Sequence, residues 1–439
     1  MTERWTRREL LAYSAFTAAT AGIGRGARAQ EAPPENDPSY SANEAVTLGF
    51  IGVGGMGTGL LNIFKTFPDV RVAAVCDVYE PHALRAKEAV GGKPDVYGDF
   101  RKVLDRKDVD AVVIATPDHW HAIPTIMACQ AEKDVYCEKP LTHRVAEGRA
   151  VANAAAKHKR VTQMGNLIHA GENYHRVVEI VQSGALGKIT KTRAWMAASR
   201  ESLGHPADTT PPAGCDYDFW LGPAPERPFN PNRFTFNWRY YWDYGGGMLT
   251  DFCCHLIDLV HWAMEVDAPR SVSATGGRYA SGDDAETPDT LEVAYEYEKG
   301  DDRFVLSWSQ IDVNDHGFDG RPAGVMFQGT EGTLVTHYND HEIFPDKGKT
   351  IDEAAIPRTL PRSPGHHREW IDAIRSRATC SCNFEYGHRL STIGELGNIS
   401  LWTGEKLVWD PAAEKITNHP DANQFLTKEY RKPWVLPTV

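Results

Sequence analysis

The chain has 439 residues, of which 41% are hydrophobic and 24% charged, ordinary for a globular protein and enough for two domains with their own cores. That composition excludes a disordered chain and a repeat fibre. A formal net charge of −12, without a long run of Lys and Arg in the mature chain, excludes an electrostatic footprint for nucleic acid, so the expected ligand is a small molecule.

The first 29 residues differ from the rest. Thr6-Arg7-Arg8-Glu9-Leu10-Leu11 puts paired arginines before a weakly apolar, alanine-rich run, and Ala27-Arg28-Ala29 supplies a small-x-small cleavage site. The segment resembles a twin-arginine export signal with Gln30 as first mature residue, which implies a periplasmic or otherwise exported protein. No other stretch has the roughly 20 apolar residues of a membrane span. Residues 30–45 are rich in Pro and lack periodicity; they read as an extended arm, either a linker or a segment reaching round a neighbouring subunit. Of the eight cysteines, Cys76, Cys129 and Cys137 lie in or beside apolar runs, Cys253 and Cys254 are adjacent, and Cys380 and Cys382 lack the usual zinc spacing. Mostly reduced thiols and no metal site are expected.

Val46 to Ile51 reads as a strand, followed by Gly52-Val53-Gly54-Gly55-Met56-Gly57 and then Leu60, Leu61 and Phe64 at helical spacing. Strand, glycine turn and helix in this order suit a dinucleotide: Gly52 permits the turn, Gly54 the approach of the pyrophosphate, and Gly57 close packing of helix on strand. The strand Val72 to Cys76 ends in Asp77, twenty residues beyond Gly57, where a carboxylate can accept from ribose hydroxyls and would repel a 2′-phosphate, so NAD is expected rather than NADP. Helices near 81–90 and 100–105 lead to the strand Ala111 to Ala115 and the loop Thr116-Pro117-Asp118-His119-Trp120-His121. A further strand runs into Cys137-Glu138-Lys139-Pro140, which places Lys139 at a strand's carboxyl end, where open α/β sheets bind ligands. Val145 to His158 is helical in pattern, and Val161 to Gly165 reads as the last strand of this sheet.

Together, the glycine-rich turn, Asp77, Ala115-Thr116-Pro117-Asp118-His119-Trp120-His121 and Cys137-Glu138-Lys139-Pro140-Leu141 resemble the Gfo/Idh/MocA oxidoreductases, named after glucose-fructose oxidoreductase and inositol dehydrogenase. The resemblance implies an α/β protein: an N-terminal Rossmann domain, set here at 46–165, and a C-terminal α/β domain at 166–439 with a large open, mostly antiparallel sheet that often forms subunit contacts. Homodimers or homotetramers are expected. The cofactor-binding set is Gly52, Gly54, Gly55, Met56, Gly57, Asp77, Thr116, Pro117, His119, Trp120, His121, Glu138 and Lys139.

Asn166 to His169 would enter the cleft, although His169 and His175 are each more often packed or solvated than catalytic. Residues 200–244 form a long excursion rich in Pro, Gly and aromatics, where Arg239, Tyr241 and Trp242 suit a carbohydrate: rings pack on C–H faces and charges meet hydroxyls. Gly245-Gly246-Gly247 opens a buried helix that puts Asp251 and His255 four apart on one face. A satisfied Asp–His pair is an equal reading until the resemblance is weighed, because Gly-Gly-Gly-x-Leu-x-Asp-x-x-x-His matches the segment that supplies Asp and His to substrate in inositol dehydrogenase-like members. Strands are expected at 270–279, 290–298, 303–311, 325–329 and 332–337, helices at 365–376 and 386–402, and a last strand at 406–409.

The expected catalytic residues are Lys139, His255 and Asp251, and the expected substrate contacts are Asn166, His169, Arg239, Tyr241, Trp242, Asp251 and His255. His255 near its ordinary pKa would take the hydroxyl proton, Lys139 would hydrogen-bond the reacting oxygen, and Asp251 would orient substrate or imidazole. The implied function is NAD-linked oxidation or reduction of a sugar or cyclitol hydroxyl. An alternative is a glycosidase recycling bound NAD through transient oxidation and elimination; that branch carries Tyr and His in the stretch matching 248–255, where this chain has Asp251 four before His255. A third is an idle sugar-binding protein on the same scaffold.

Overall fold

The computed structural model describes residues 45–439; the expected signal at 1–29 and the arm, save Ala45, lie outside the described residues. Short apolar runs between polar turns form β1 (Val46–Ile51), β2 (Val70–Cys76), β3 (Asp95–Tyr97), β4 (Ala111–Ile114), β5 (Asp134–Cys137) and β6 (Thr162–Met164). The intervening helices are α1 (Gly55–Phe64), α2 (Glu80–Ala89), α3 (Arg101–Leu104), α4 (Asp118–Gln130) and α5 (Val145–His158). The strands pair in parallel in the order β3-β2-β1-β4-β5-β6. With helices on both faces, β1, β4 and β5 are buried throughout, hence their mostly apolar sequences, broken only by Thr47 and Asp134. The order reverses between β1 and β4, and the loops leaving their carboxyl ends frame the crevice where such sheets bind ligands.

The second domain contains α6 (Glu172–Gln182), β7 (Ile189–Ala197), α7 (Tyr217–Leu221), α8 (Gly247–Met264), β8 (Ser271–Gly277), β9 (Thr290–Lys299), β10 (Asp302–Ile311), β11 (Ala323–Gly329), β12 (Gly332–Thr336), β13 (His341–Pro345), α9 (His366–Ser376), α10 (Phe384–Thr403), β14 (Leu407–Asp410) and β15 (Lys415–Ile416). Its nine strands run β13-β12-β11-β7-β10-β9-β8-β14-β15, antiparallel except for β7 with β10. Along β9, Leu291, Val293, Tyr295 and Tyr297 point into the core while Glu292, Glu296 and Glu298 face outward. The inner face is covered by α8 and α10. Among the described residues no helix is long and apolar enough to cross a membrane, and all eight cysteines are free thiols, seven of them buried.

Two features tie the domains together. One apolar core runs from Ile114 and Cys137 of the first sheet to Leu249, Leu256 and Ile393 of the second domain. In addition, α9 follows the second sheet in sequence but packs on the first, where Trp370 and Ile371 join Phe50 and Phe64, and Arg368 pairs with Asp69 at 2.8 Å. The strands β3, β13 and β15 lie beyond the sequence expectation, being two to five residues long, too short for alternation to register.

Gly57 is where α1 leans on the turn: a Cβ there would stand 1.9 Å from the Gly52 carbonyl oxygen, whereas one at Gly59 would meet nothing within 4 Å. Gly57→Ala is therefore expected to lower the urea unfolding midpoint, at a cost of about 1–3 kcal/mol. Gly59→Ala, in the same helix, is expected to leave it unchanged or raise it. Equal effects of the two would contradict this packing.

Candidate functional site

The crevice is a cleft of about 400 Å³ lined at one end by Gly52, Gly54, Gly55 and Met56, then by Asp77, Thr116, Pro117, Trp120 and His121, and at its inner end by Glu138, Lys139 and Arg239. Gly52 has φ +81°, and a Cβ would lie 2.8 Å from the backbone of Ala115, so only glycine turns the chain here against the loop after β4. Gly54 caps α1 without a side chain and Gly55 faces open space, leaving the first turn's N–H groups and the helix dipole for an anion. Asp77 accepts from the Val53 and Tyr79 amides, each at 2.9 Å, so it braces the glycine turn while lining the cleft. This cradle fits a dinucleotide.

Not every expected residue is in it. Gly57 packs behind the turn. His119 is rotated towards α7, its Nε2 3.1 Å from the Trp220 carbonyl that also accepts the Trp120 indole N–H. His121 reaches the carbonyls of Pro140 (2.7 Å) and Thr116 (2.9 Å), and so ties the loops after β4 and β5 together. Asp118 belongs to the loop motif but is not among the expected site residues, yet it lines the cleft from the first turn of α4. Burial, with Asp251 adding, holds its carboxyl well above the usual range.

At the inner end the two domains contribute opposite charges. Lys139, before a cis peptide to Pro140, donates its ammonium to the Asp251 carbonyl at 2.9 Å and to the Asp251 carboxylate. The second carboxylate oxygen lies 3.4 Å from Arg239 Nε, and the guanidinium stacks over Trp238 and Phe236. Burial alone would lower the Lys139 pKa, but the Asp251 carboxylate outweighs it and the lysine stays charged. Burial alone would raise Asp251; Lys139 and Arg239 hold it down to about 2. Glu138, behind the lysine, is pushed up by burial to about 7 against the pull of Lys139. Gly165 makes room for it, since a Cβ there would come within 2.4 Å of a Glu138 carboxylate oxygen.

His255 sits one turn beyond Asp251 on α8. The expectation of an ordinary pKa is corrected: burial, with Lys139 adding, lowers it to about 3, so the ring is neutral at physiological pH. Two further corrections concern substrate contacts. Asn166 and His169 do not enter the cleft; Asn166 is fully buried beneath His255, and His169 stacks on Trp262 at 4.3 Å and bonds Asp258. Tyr241 is buried in an aromatic cluster with Trp220 and Phe234, and Trp242 packs edge-on against Trp402. Of the excursion's other rings, Phe219 and Phe236 line the cleft, and Trp220, Phe234 and Trp238 line it while also belonging to the buried cluster. It is pinned to the Rossmann domain by the Trp120–Phe219 stack and by amide bonds of 2.8 Å from Glu80 to Gly214 and from Asp216 to Val78.

Comparison with known proteins matches residues 46–166 to an oxidoreductase family's NAD-binding Rossmann fold and residues 176–436 to an oxidoreductase family's C-terminal α/β domain. A glycosyl hydrolase family 109 protein of Saccharopolyspora erythraea is 32% identical over 203 residues, 42% of this chain and 44% of that protein. An inositol 2-dehydrogenase of Salmonella typhimurium is 32% identical over 142 residues, 32% of this chain and 42% of that protein. The chain thus spans less than half the length of these relatives. The WlbA dehydrogenase of Chromobacterium violaceum, solved with NADH and UDP-GlcNAcA, superposes with a TM-score of 0.64 at 17% identity, over 84% of this chain and 98% of that one. A levoglucosan dehydrogenase solved with NADH and levoglucosan gives 0.60 at 19% identity, over 83% and 99%. At such identities the likeness is one of fold. The dinucleotide of the first domain is NAD.

Burial keeps seven histidines neutral: His119 and His255 at about 3, His121, His261 and His367 at about 4, and His143 and His366 well below the usual range. Below about pH 6.5 the unfolded chain binds protons at these rings and the folded chain does not, so stability is expected to fall as pH drops from about 6.5 towards 4. His367 packs on Tyr136 with burial as its sole perturbation. In His367→Phe the fall in melting temperature over this range should be shallower; an unchanged slope would count against it.

Proposed function

The chain belongs to the Gfo/Idh/MocA oxidoreductase family, and on that premise we propose that it is an NAD-dependent oxidoreductase acting on a hydroxyl or ketone of a sugar or cyclitol. The observation that carries this reading is that Lys139 and Arg239, at the inner end of the dinucleotide cleft, share the Asp251 carboxylate just behind its lining, and that His255 lies one turn beyond Asp251 on α8, within the field of Lys139 and Asp251. Bound NAD supplies the redox chemistry. Lys139, kept charged by Asp251, donates a hydrogen bond to the reacting oxygen and stabilises negative charge as the hydroxyl proton leaves. Lys139 and Arg239 both face this end of the cleft, and two cations there favour that charge. His255, being neutral, accepts the proton through the ring nitrogen that does not face Asn166. The Arg239 guanidinium and the Trp238 and Phe236 rings offer hydroxyl and C–H contacts of the kind a carbohydrate uses.

A redox-neutral glycosidase that keeps its NAD is the second reading. Two observations favour it: the family 109 relative, and the excursion that covers the cofactor cleft and would slow release of NAD. Export through a twin-arginine signal, which we propose for residues 1–29, fits a cofactor loaded before transport. The outward face of the nine-stranded sheet, where Val305 and Phe344 are exposed, supports a homodimer or homotetramer.

Purified protein is expected to release nicotinamide dinucleotide on denaturation, and a panel of sugars and keto-sugars should change its nicotinamide absorbance. Lys139→Ala and His255→Asn should each lower turnover on the responding sugar by about 10²-fold or more; full turnover in both would sink the assignment. Cleavage of a nitrophenyl glycoside without added NAD, and with no net absorbance change, would select the second reading.

A further inference from the structure

Beneath His255 lies a buried hydrogen-bonded chain whose directions are fixed. Asn166, without exposed surface, places its amide nitrogen 2.6 Å from the Cys254 carbonyl and 2.7 Å from Asp258 Oδ2. Neither of those oxygens can donate, so the NH₂ group must face them and the amide oxygen must face the imidazole, 3.0 Å from its Nδ1. Flipping the amide would set oxygen against a carbonyl and a carboxylate. Asp258 is fully buried and fixed in turn, its Oδ1 accepting from His169 Nε2 at 3.0 Å and from the Tyr386 hydroxyl. His169, Asp258 and Cys382 do bring ligand atoms within 4.8 Å of one another, but both Asp258 oxygens already accept N–H or O–H bonds, so this is a hydrogen-bonded anchor.

We infer that Asn166, anchored by Asp258, is a positioning residue that fixes His255 as its Nδ1–H tautomer and leaves Nε2 with a lone pair for the substrate hydroxyl. An amide oxygen only accepts, so a neutral ring facing it carries its single proton on Nδ1. Among the described residues Nε2 makes no hydrogen bond, and the ring keeps 6% exposure. An Asp or Glu at 166 would instead favour the imidazolium, which cannot act as a base; an amide orients the ring without charging it. The charged and titratable groups around the ring are Lys139 from the loop after β5, Asp251 one turn earlier on α8, Asp258 behind Asn166, and His366 of α9. The catalytic consequence rests on the proposed function; the tautomer does not.

The test is nitrogen NMR on the full chain with ¹⁵N-labelled histidine, using His255→Gln to assign the signal. At neutral pH the wild type should show a protonated Nδ1 and an unprotonated Nε2. In Asn166→Leu, which keeps the volume and removes the accepting oxygen, an Nε2–H signal should appear at neutral pH beside the Nδ1–H one. General loosening of the fold would not choose between the two nitrogens. A wild-type ring protonated on Nε2, or an Nδ1–H signal unchanged in Asn166→Leu, overturns the inference. The expected tautomer in a protein that oxidises no sugar upholds the positioning while removing the proposed function.

Discussion

A lysine ammonium and an aspartate carboxylate are paired where the two domains meet, with side chains only 8% and 16% exposed. Taking either ion out of water alone would cost several kcal/mol, so each is tolerable only with the other in place. Lys139 comes from the end of a strand in the parallel sheet and Asp251 from a helix that packs on the other sheet. The pair therefore exists only when both domains fold and dock, and docking in turn creates the cleft. Arg239 adds a second cation to the same carboxylate, Glu138 fills the space behind the lysine, and Gly165 leaves room for that glutamate. His255, one turn further on, is kept neutral by burial and by the same lysine.

Much of this was legible in the sequence because it is written locally. The turn at Gly52, the acidic end of β2 at Asp77, the exit of Lys139 from its strand and the four-residue spacing of Asp251 and His255 all follow from patterns a few residues long. Long-range packing was not legible. The return of α9 to the first sheet cannot be read from the pattern of 366–376, which records an apolar face and not its partner. The excursion at 200–244 reads as a ligand-facing loop, but its rings divide between the cleft and a buried cluster, and Tyr241 and Trp242 fall on the wrong side. The ordinary pKa expected for His255 fails for the same reason: the burial that lowers it comes from the fold around it.

The same long-range packing shapes the cleft. The excursion is fastened to the Rossmann domain by ring stacking and backbone bonds, and Phe219, Trp220, Phe234, Phe236 and Trp238 bring apolar rings onto the cleft that the first sheet opens.

The most direct measurement is a double-mutant cycle on Lys139→Met and Asp251→Leu, read by denaturant unfolding of the whole chain. Asp251→Leu leaves two buried cations without their carboxylate and should cost about 3 kcal/mol or more, whereas Lys139→Met leaves the carboxylate with Arg239 alone and should cost less. The double variant should lose less than the sum, with a coupling on the order of 1–3 kcal/mol. Additive losses would mean that the two groups do not depend on each other, and the account of the site as one interdomain pair would fail.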